Sequence, residues 1–339
     1  MTVKTSPESD VTSHDWVADY MALSEEAGLV PLAAGTQVEL RGEDRVTFLN
    51  RMCTQKVDSL TAGQGYEAFL TNARGRIVAY ALVFAGAESL ILHSARGQAE
   101  KLLTHLDYYL IREKVELHDR SMAWSELLLA GPKAEELLGR LVDVDLPREY
   151  LAHVAADLAG NRVSIRRLQM AGPATLLLSS DAKGGAEVSQ YLQDAGARLC
   201  GSQVAEALRI EAGRPEYGRD ISEENFPQEV ARDERTISHD KGCYLGQETV
   251  ARIDSRGHVN QFLTGLRFEM AKEVAVGTEV TSEGQVVGYV TSATFSPRLS
   301  SALALGYLRR GHHQPGSRLE SAAGPVEVVS LPLTSPRPK

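Results

Sequence analysis

From about residue 264 the chain changes character, and that change constrains the fold more than any other feature. The segments "LTGLRFE", "TEVTSEGQVVGYVTSATFS", "SALALGYLRR", "SRLES" and "GPVEVVSL" are short, broken by glycine turns and free of a helical period. Such a run predicts a small β-barrel or sandwich. Upstream the pattern differs. "GYEAFLTN" and "IVAYALVF" read as strands joined by the turn "ARGR", "SLILH" as a third strand, "GQAEKLLTHLDYYLI" as an amphipathic helix and "KVELHD" as another strand. A similar order recurs in "SELLLAG" (strand), "KAEELLGRLV" (helix), "NRVSIRRLQ" and "ATLLLSS" (strands) and "GGAEVSQYLQDAG" (helix). The fold class is therefore α+β, with two such units before the all-β one. Hairpin connections make the sheets mainly antiparallel, and the lack of regular βαβ alternation argues against a dinucleotide-binding fold.

Length agrees with several domains, since 339 residues exceed one ordinary core. The first helix is expected to be capped by Ser13, to bury Trp16, Val17, Tyr20, Met21, Leu23 and Ala27, and to end at Gly28. The strand "TQVELRG" and a helix burying Val46, Phe48, Leu49 and Met52 follow.

A formal charge of −9 argues against general nucleic-acid binding, which needs a basic surface. No apolar run approaches the roughly 18 to 20 residues of a membrane helix. Cysteines 53, 200 and 243 are odd in number and form no C-x-x-C, which excludes a disulfide framework and a metal or cluster site built by one chain. Reduced thiols and a polar start of mixed charge give the cytoplasm as the expected compartment.

Two stretches carry candidate chemistry. In "GSQVAEALRIEAGRPEYGRD" (201–220), Ser202 as cap and Gly213 as C′ residue predict a helix over 203–212. Val204, Ala207, Leu208 and Glu211 share one face, so a carboxylate lies on an apolar stripe in the turn where the helix dipole disfavours it. It must pair with an arginine such as Arg209 or Arg214, or meet a ligand with an amide-like N–H edge, such as a pterin. In "HDKGCYLGQETVAR" (239–252), Cys243 is either a small packed residue or a thiolate activated by Lys241, His239 and Arg252. Gly242 and Gly246 permit close approach or positive φ there. "SHD" at 238–240 is no triad, because its members adjoin in sequence. His312 and His313 lack flanking ligands at metal spacing, and Cys53 reads as packing.

These stretches resemble a known family. "KGCYLGQETVAR" is similar to the K-G-C-Y-x-G-Q-E signature of the YgfZ-type folate-binding proteins, and "ALRIEAGRPEYGRD" resembles their R-x-E-x-G-x-P-x-x-G-x-D stretch. "VVGYVTSATFSPRLSSALALGYLRR" resembles the C-terminal domain of the glycine cleavage T-protein, an aminomethyltransferase of the same superfamily. The resemblance implies a three-domain cloverleaf around a central folate pocket. Its expected units are 1–55 plus 126–215, 56–125 plus 216–263, and a barrel over 264–335. It implies tetrahydrofolate or a derivative as cofactor, with Glu211, Arg252 and Tyr244 near it. Cys243 becomes the functional thiol beside Lys241, and iron–sulfur enzymes, some of them tRNA-modifying, become transient clients. The aminomethyltransferases carry an acidic pair after the hairpin; here those positions correspond to Ala79 and Tyr80. A folate-dependent one-carbon transferase is thus the second reading, and a cysteine-nucleophile hydrolase using His239 the third. A monomer is expected.

Overall fold

The computed structural model describes residues 15–170 and 174–333, with the side chain of Arg256 left out. The chain opens with helix α1 (Trp16–Glu25), strands β1 (Gly28–Leu32) and β2 (Thr36–Arg41) and helix α2 (Arg45–Met52). Strands β3 (Gly65–Thr71), β4 (Ile77–Ala85) and β5 (Ser89–Ser94), helix α3 (Ala99–Tyr109) and strand β6 (Glu116–Asp119) follow. The next run holds β7 (Trp124–Ala130), α4 (Ala134–Gly139), β8 (His153–Leu158), β9 (Asn161–Leu168), β10 (Thr175–Asp181), α5 (Gly185–Asp194), β11 (Arg198–Leu199) and α6 (Ser202–Glu211). Helices α7 (Asp233–Thr236) and α8 (Gln247–Arg256) precede β12 (Gln261–Phe268), β13 (Glu279–Ser282), β14 (Gln285–Ser296), β15 (Ser301–Arg309), β16 (Arg318–Ser321) and β17 (Gly324–Val329).

Three sheets result. One has the order β11-β1-β7-β10-β9-β8, the second β3-β4-β5-β2-β6, and the last six strands close as the barrel β12-β15-β14-β13-β16-β17. Apart from the parallel pair β1–β11, the strand pairs are antiparallel. The first two sheets face each other. Leu82 and Phe84 of β4 pack with Leu128 of β7, Leu177 of β10 and Val204 and Leu208 of α6 in one core. Helices α4 and α5 cover the outer face of the first sheet, and α2 and α3 that of the second. Strand β4 therefore has both faces covered, which is why "IVAYALVFA" is buried at every position and shows no alternation. A further core joins Phe69, Ile77 and Tyr80 of the second sheet to Leu303, Leu305 and Tyr307 of the barrel.

Several expectations need correction. Strand β2 pairs with β5 and β6, and α2 packs on the same sheet, so residues 36–55 build the second unit rather than the first. Strand β8 was not expected from "HVAADL", whose alanines and aspartate mute the β signal. Ser13 lies outside the described residues; the cap of α1 is Asp15, which accepts from the amides of Val17 and Ala18. Gly28 begins β1 instead of ending α1, and Val17 and Met21 are exposed while Tyr20 and Leu23 are buried. Helix α6 starts at Ser202 behind an extended Gly201, whose N–H donates to Asp19 at 2.8 Å.

Candidate functional site

Along β7 the side chains of Glu126 and Leu128 point to the sheet–sheet interface, while Leu127 and Leu129 point to the outer core. Along β5, Ile91 and His93 alternate with the buried Leu90, Leu92 and Ser94. This phasing brings Glu126 and His93 together at the end of a cleft of about 400 Å³ between the two sheets. Leu32, Leu82, Leu128, Leu168, Met170 and Leu177 supply its apolar lining. Glu126 is 2% exposed. It accepts from Gly35 N–H at 2.9 Å, from Gln37 Nε2 at 3.0 Å and from Ser179 at 3.4 Å, and His93 Nε2 lies 3.0 and 3.2 Å from its oxygens. Burial alone would push this carboxyl up; His93, foremost among the opposing groups, and the Gly35 N–H hold it down at about 2. Behind it Arg166, also buried, donates from Nη2 to Gln37 Oε1 at 3.2 Å and lies over the Phe84 ring. Gly35 has to be glycine for close approach: a Cβ there would come within 2.8 Å of His93 Nε2.

A second cleft of about 600 Å³ lies between α7 and the barrel and is lined by Arg214, Arg232 and Arg235 among others. Beside it Glu67, on β3, is buried and receives Arg232 through Nε at 2.8 Å and Nη2 at 2.5 Å, with hydroxyl donors from Tyr80 at 2.7 Å and from Tyr150. Burial raises its carboxyl, but Arg232 above all brings it to about 2. Burial first, and then the Glu67 charge, push the Tyr150 phenol up to about 12. Register explains the meeting of Glu67 and Tyr80: Glu67 pairs with Leu82 across the ladder, so Tyr80 is its diagonal neighbour on the same face. Arg214 lines both clefts, and no carboxylate lies in ion-pair range of it among the described residues.

The residues singled out in the sequence fall elsewhere. Glu211 is buried, as its helical phase implies, but neither arginine pairs with it. Its oxygens accept from Tyr20 at 2.9 Å and from Ser296 at 2.5 Å, and it lines neither cleft. Arg209 instead binds Glu206 at 2.7 Å and Asp220 at 2.7 Å, and reaches Ser292 of the barrel at 2.8 Å. The Arg and Asp that bound the R-x-E-x-G-x-P-x-x-G-x-D stretch thus pair with each other and clamp α6 to the barrel.

Cys243 is exposed. Lys241 is turned away from activating it: Nζ donates to the carbonyls of Asn50, Cys53 and Gln55 at 2.6, 2.8 and 2.7 Å, capping the end of α2. Burial lowers the pKa of that ammonium. Tyr244 is buried with Ile237 and Val250, 5.1 Å from Lys241 Nζ, and Arg252 is exposed on α8. His239 faces Asp254 at 3.8 Å. Gly246 has φ +82°, and a Cβ would strike the Asn72 carbonyl at 2.4 Å, so the loop docks closely on the β3–β4 turn. None of Cys243, Tyr244 or Arg252 lines either cleft. Cys53 is buried in the α2 core, and His313 stacks on Phe262 at 4.1 Å. No helix among the described residues is long and apolar enough to cross a membrane.

His93, Glu126 and Glu67 escaped the sequence reading, and Arg214 entered it only as a possible partner of Glu211. A signal existed for the two acids, since each lies in phase with inward residues of an apolar strand.

Comparison with known proteins now places the chain. Residues 5–241 match the GCVT N-terminal domain, and residues 263–334 match the glycine cleavage T-protein C-terminal barrel domain. An aminomethyltransferase of Saccharopolyspora erythraea is 28% identical over 93% of this chain and 89% of its own length. One from Thermus thermophilus is 29% identical over 93% of this chain and 90% of its own. A putative chloroplastic transferase of Arabidopsis thaliana is 30% identical over 83% of this chain and 65% of its own. The crystal structure of the glycine cleavage system aminomethyltransferase T from Bartonella henselae superposes with a TM-score of 0.83 at 19% identity, covering 94% of this chain and 89% of that one, and so shares the fold. With its N-terminal and barrel domains both matched, the chain belongs to the glycine cleavage T-protein (GCVT) superfamily.

Proposed function

We propose that this chain binds tetrahydrofolate or a derivative and uses Cys243 to support assembly or repair of iron–sulfur clusters in client enzymes. The observation that carries the folate half is the cleft between the sheets. It has an apolar wall of leucines and Met170 suited to a flat heteroaromatic ring, with polar groups at His93 and Glu126 and a further charged lining that includes Arg96, Glu206, Arg209 and Arg214. Arg214 stands where that cleft and the arginine-lined one both reach it, placed to take a carboxylate tail. The polar contact is read at His93 in addition to Glu211, which accepts from Tyr20 and Ser296, keeps acceptor capacity and lines neither cleft. The thiol half rests on the "KGCYLGQE" motif and on the exposure of Cys243, with Lys241 reassigned to holding the loop.

A folate-dependent one-carbon transferase is the second reading, favoured by relatives named aminomethyltransferase. Against it stands the hairpin. Ala79 and Tyr80 occupy the positions expected to be acidic, and the carboxylate nearest them, Glu67, is consumed by Arg232 and two tyrosines.

Calorimetric titration with tetrahydrofolate tests the folate half. Saturable binding that Arg214→Ala weakens about tenfold, roughly 1.4 kcal/mol, is expected. No binding to the unaltered protein removes the folate reading. Complementation of a deletion strain tests the thiol half: Cys243→Ala should fail to restore iron–sulfur enzyme activity, and full restoration rejects the role. Turnover of tetrahydrofolate with an aminomethyl donor would favour the transferase instead.

A further inference from the structure

The network beneath the cleft has a polarity that the folate reading alone does not use. Arg166 donates to the carbonyl oxygen of Gln37, which fixes the amide so that Gln37 Nε2 donates to Glu126. Gly35 N–H and Ser179 donate to the same carboxylate. An ionised carboxylate only accepts, so the hydrogen between Glu126 and His93 sits on His93 Nε2. In the neutral ring the other nitrogen, Nδ1, then carries a lone pair. Among the described residues it has no protein partner, and His93 lines the cleft. Burying Glu126, Gln37, Ser179 and Arg166 together is costly unless the arrangement is satisfied. Gly35, Gln37 and Ser179 donate to one carboxylate whose remaining neighbour is this imidazole, while Arg166 donates to Gln37 Oε1 and to Ser164 Oγ and leaves Nη1 unpartnered.

We propose that His93 is the ligand-contact residue of the cleft, with Glu126 holding the hydrogen on Nε2 so that Nδ1 of the neutral ring, the form required for binding, accepts from the N–H edge of the bound ring. The ligand's identity rests on the folate reading; the acceptor does not. Glu126 acts through His93 and is a positioning residue. The opposing structural account is that His93 serves only to satisfy Glu126.

Two substitutions separate them. Asparagine places a polar atom near the Nδ1 position, whereas glutamine places one near Nε2. Tetrahydrofolate is titrated into the wild type, His93→Asn and His93→Gln, with thermal unfolding of each as the folding control. If Nδ1 contacts the ligand, His93→Asn keeps affinity within about threefold and His93→Gln loses tenfold or more. Retained affinity in His93→Gln, with loss in His93→Asn or in neither, overturns the proposal and leaves folate binding standing. In parallel, two-bond ¹⁵N–¹H spectra of the ligand-free protein at pH 8 read the tautomer. The account predicts hydrogen on Nε2 in the wild type and a shift toward Nδ1–H in Glu126→Gln, whose amide can donate to Nε2. If the wild type binds no tetrahydrofolate, the folate reading fails and the tautomer decides: Nε2–H sustains the fixed acceptor, and Nδ1–H overturns it.

Discussion

The inter-sheet cleft and the Cys243 loop bury charge to opposite effect. Under the cleft, Arg166, Gln37 and Glu126 form a chain that ends in an imidazole still open on one side. In the loop, the buried Lys241 spends all three ammonium hydrogens on backbone carbonyls, and the thiol two residues on stands exposed without help from it. The first arrangement holds a side chain ready; the second holds a backbone in place. A charge near a candidate group in sequence therefore says little about whether it acts on that group. The beneficiary is whichever unpaired dipole the fold brings within reach.

That contrast can be broken by substitution. The largest effect is expected at the neighbouring cleft: Arg232→Met leaves the buried Glu67 only the looser Arg235, 3.7 Å away, as counter-charge and should cost about 3–5 kcal/mol in urea unfolding. The loss should shrink toward pH 5, since Glu67 can then protonate in the variant. Lys241→Met should cost about 2–4 kcal/mol by taking the ammonium from the Asn50 and Cys53 carbonyls at the end of α2 and leaving the Gln55 carbonyl only the Val57 N–H and the Cys53 thiol. If Lys241 served the thiol instead, stability would barely move and Cys243 alkylation would slow.

The acid limb of stability gives the next effect. Glu67 and Glu126 have folded values near 2, below the usual unfolded carboxyl value near 4.3. Their stabilisation is complete above about pH 4.5 and is lost as pH falls toward 2, by about 2 kcal/mol per group. Denaturation midpoints across pH 2–6 check this, and a flat profile would mean the carboxylates are not held as described. The smallest effect is expected at Cys243. Because the side chain is exposed, Cys243→Ser should change stability by less than about 0.5 kcal/mol while abolishing complementation.

Much of the architecture was legible because it follows from local periodicity. The glycine-broken strands after residue 264 close as a barrel, and the alternation in "SLILH" and the turn "ARGR" give β3–β5. Partner choice was not legible. Nothing within "TQVELRG" states which sheet it joins, and Thr36–Arg41 pairs with residues 48 to 81 positions downstream. The cleft was harder still, since residues 35, 93, 126 and 214 converge only through register and sheet packing. Glu126 could have been noticed as an acid in phase with Leu128 in "SELLLAG". Glu211 was correctly read as buried, but the hydroxyls that satisfy it come from positions 20 and 296, which no spacing rule connects.

The central claim is that the cleft between the sheets holds the folate. A crystal structure of the protein with tetrahydrofolate tests it most directly. The account predicts the pterin between the leucine walls, with an N–H edge at His93 Nδ1 and the carboxylate tail at Arg214. A ligand bound beside Cys243 and away from that cleft, or an empty cleft in crystals grown at saturating folate, would contradict it.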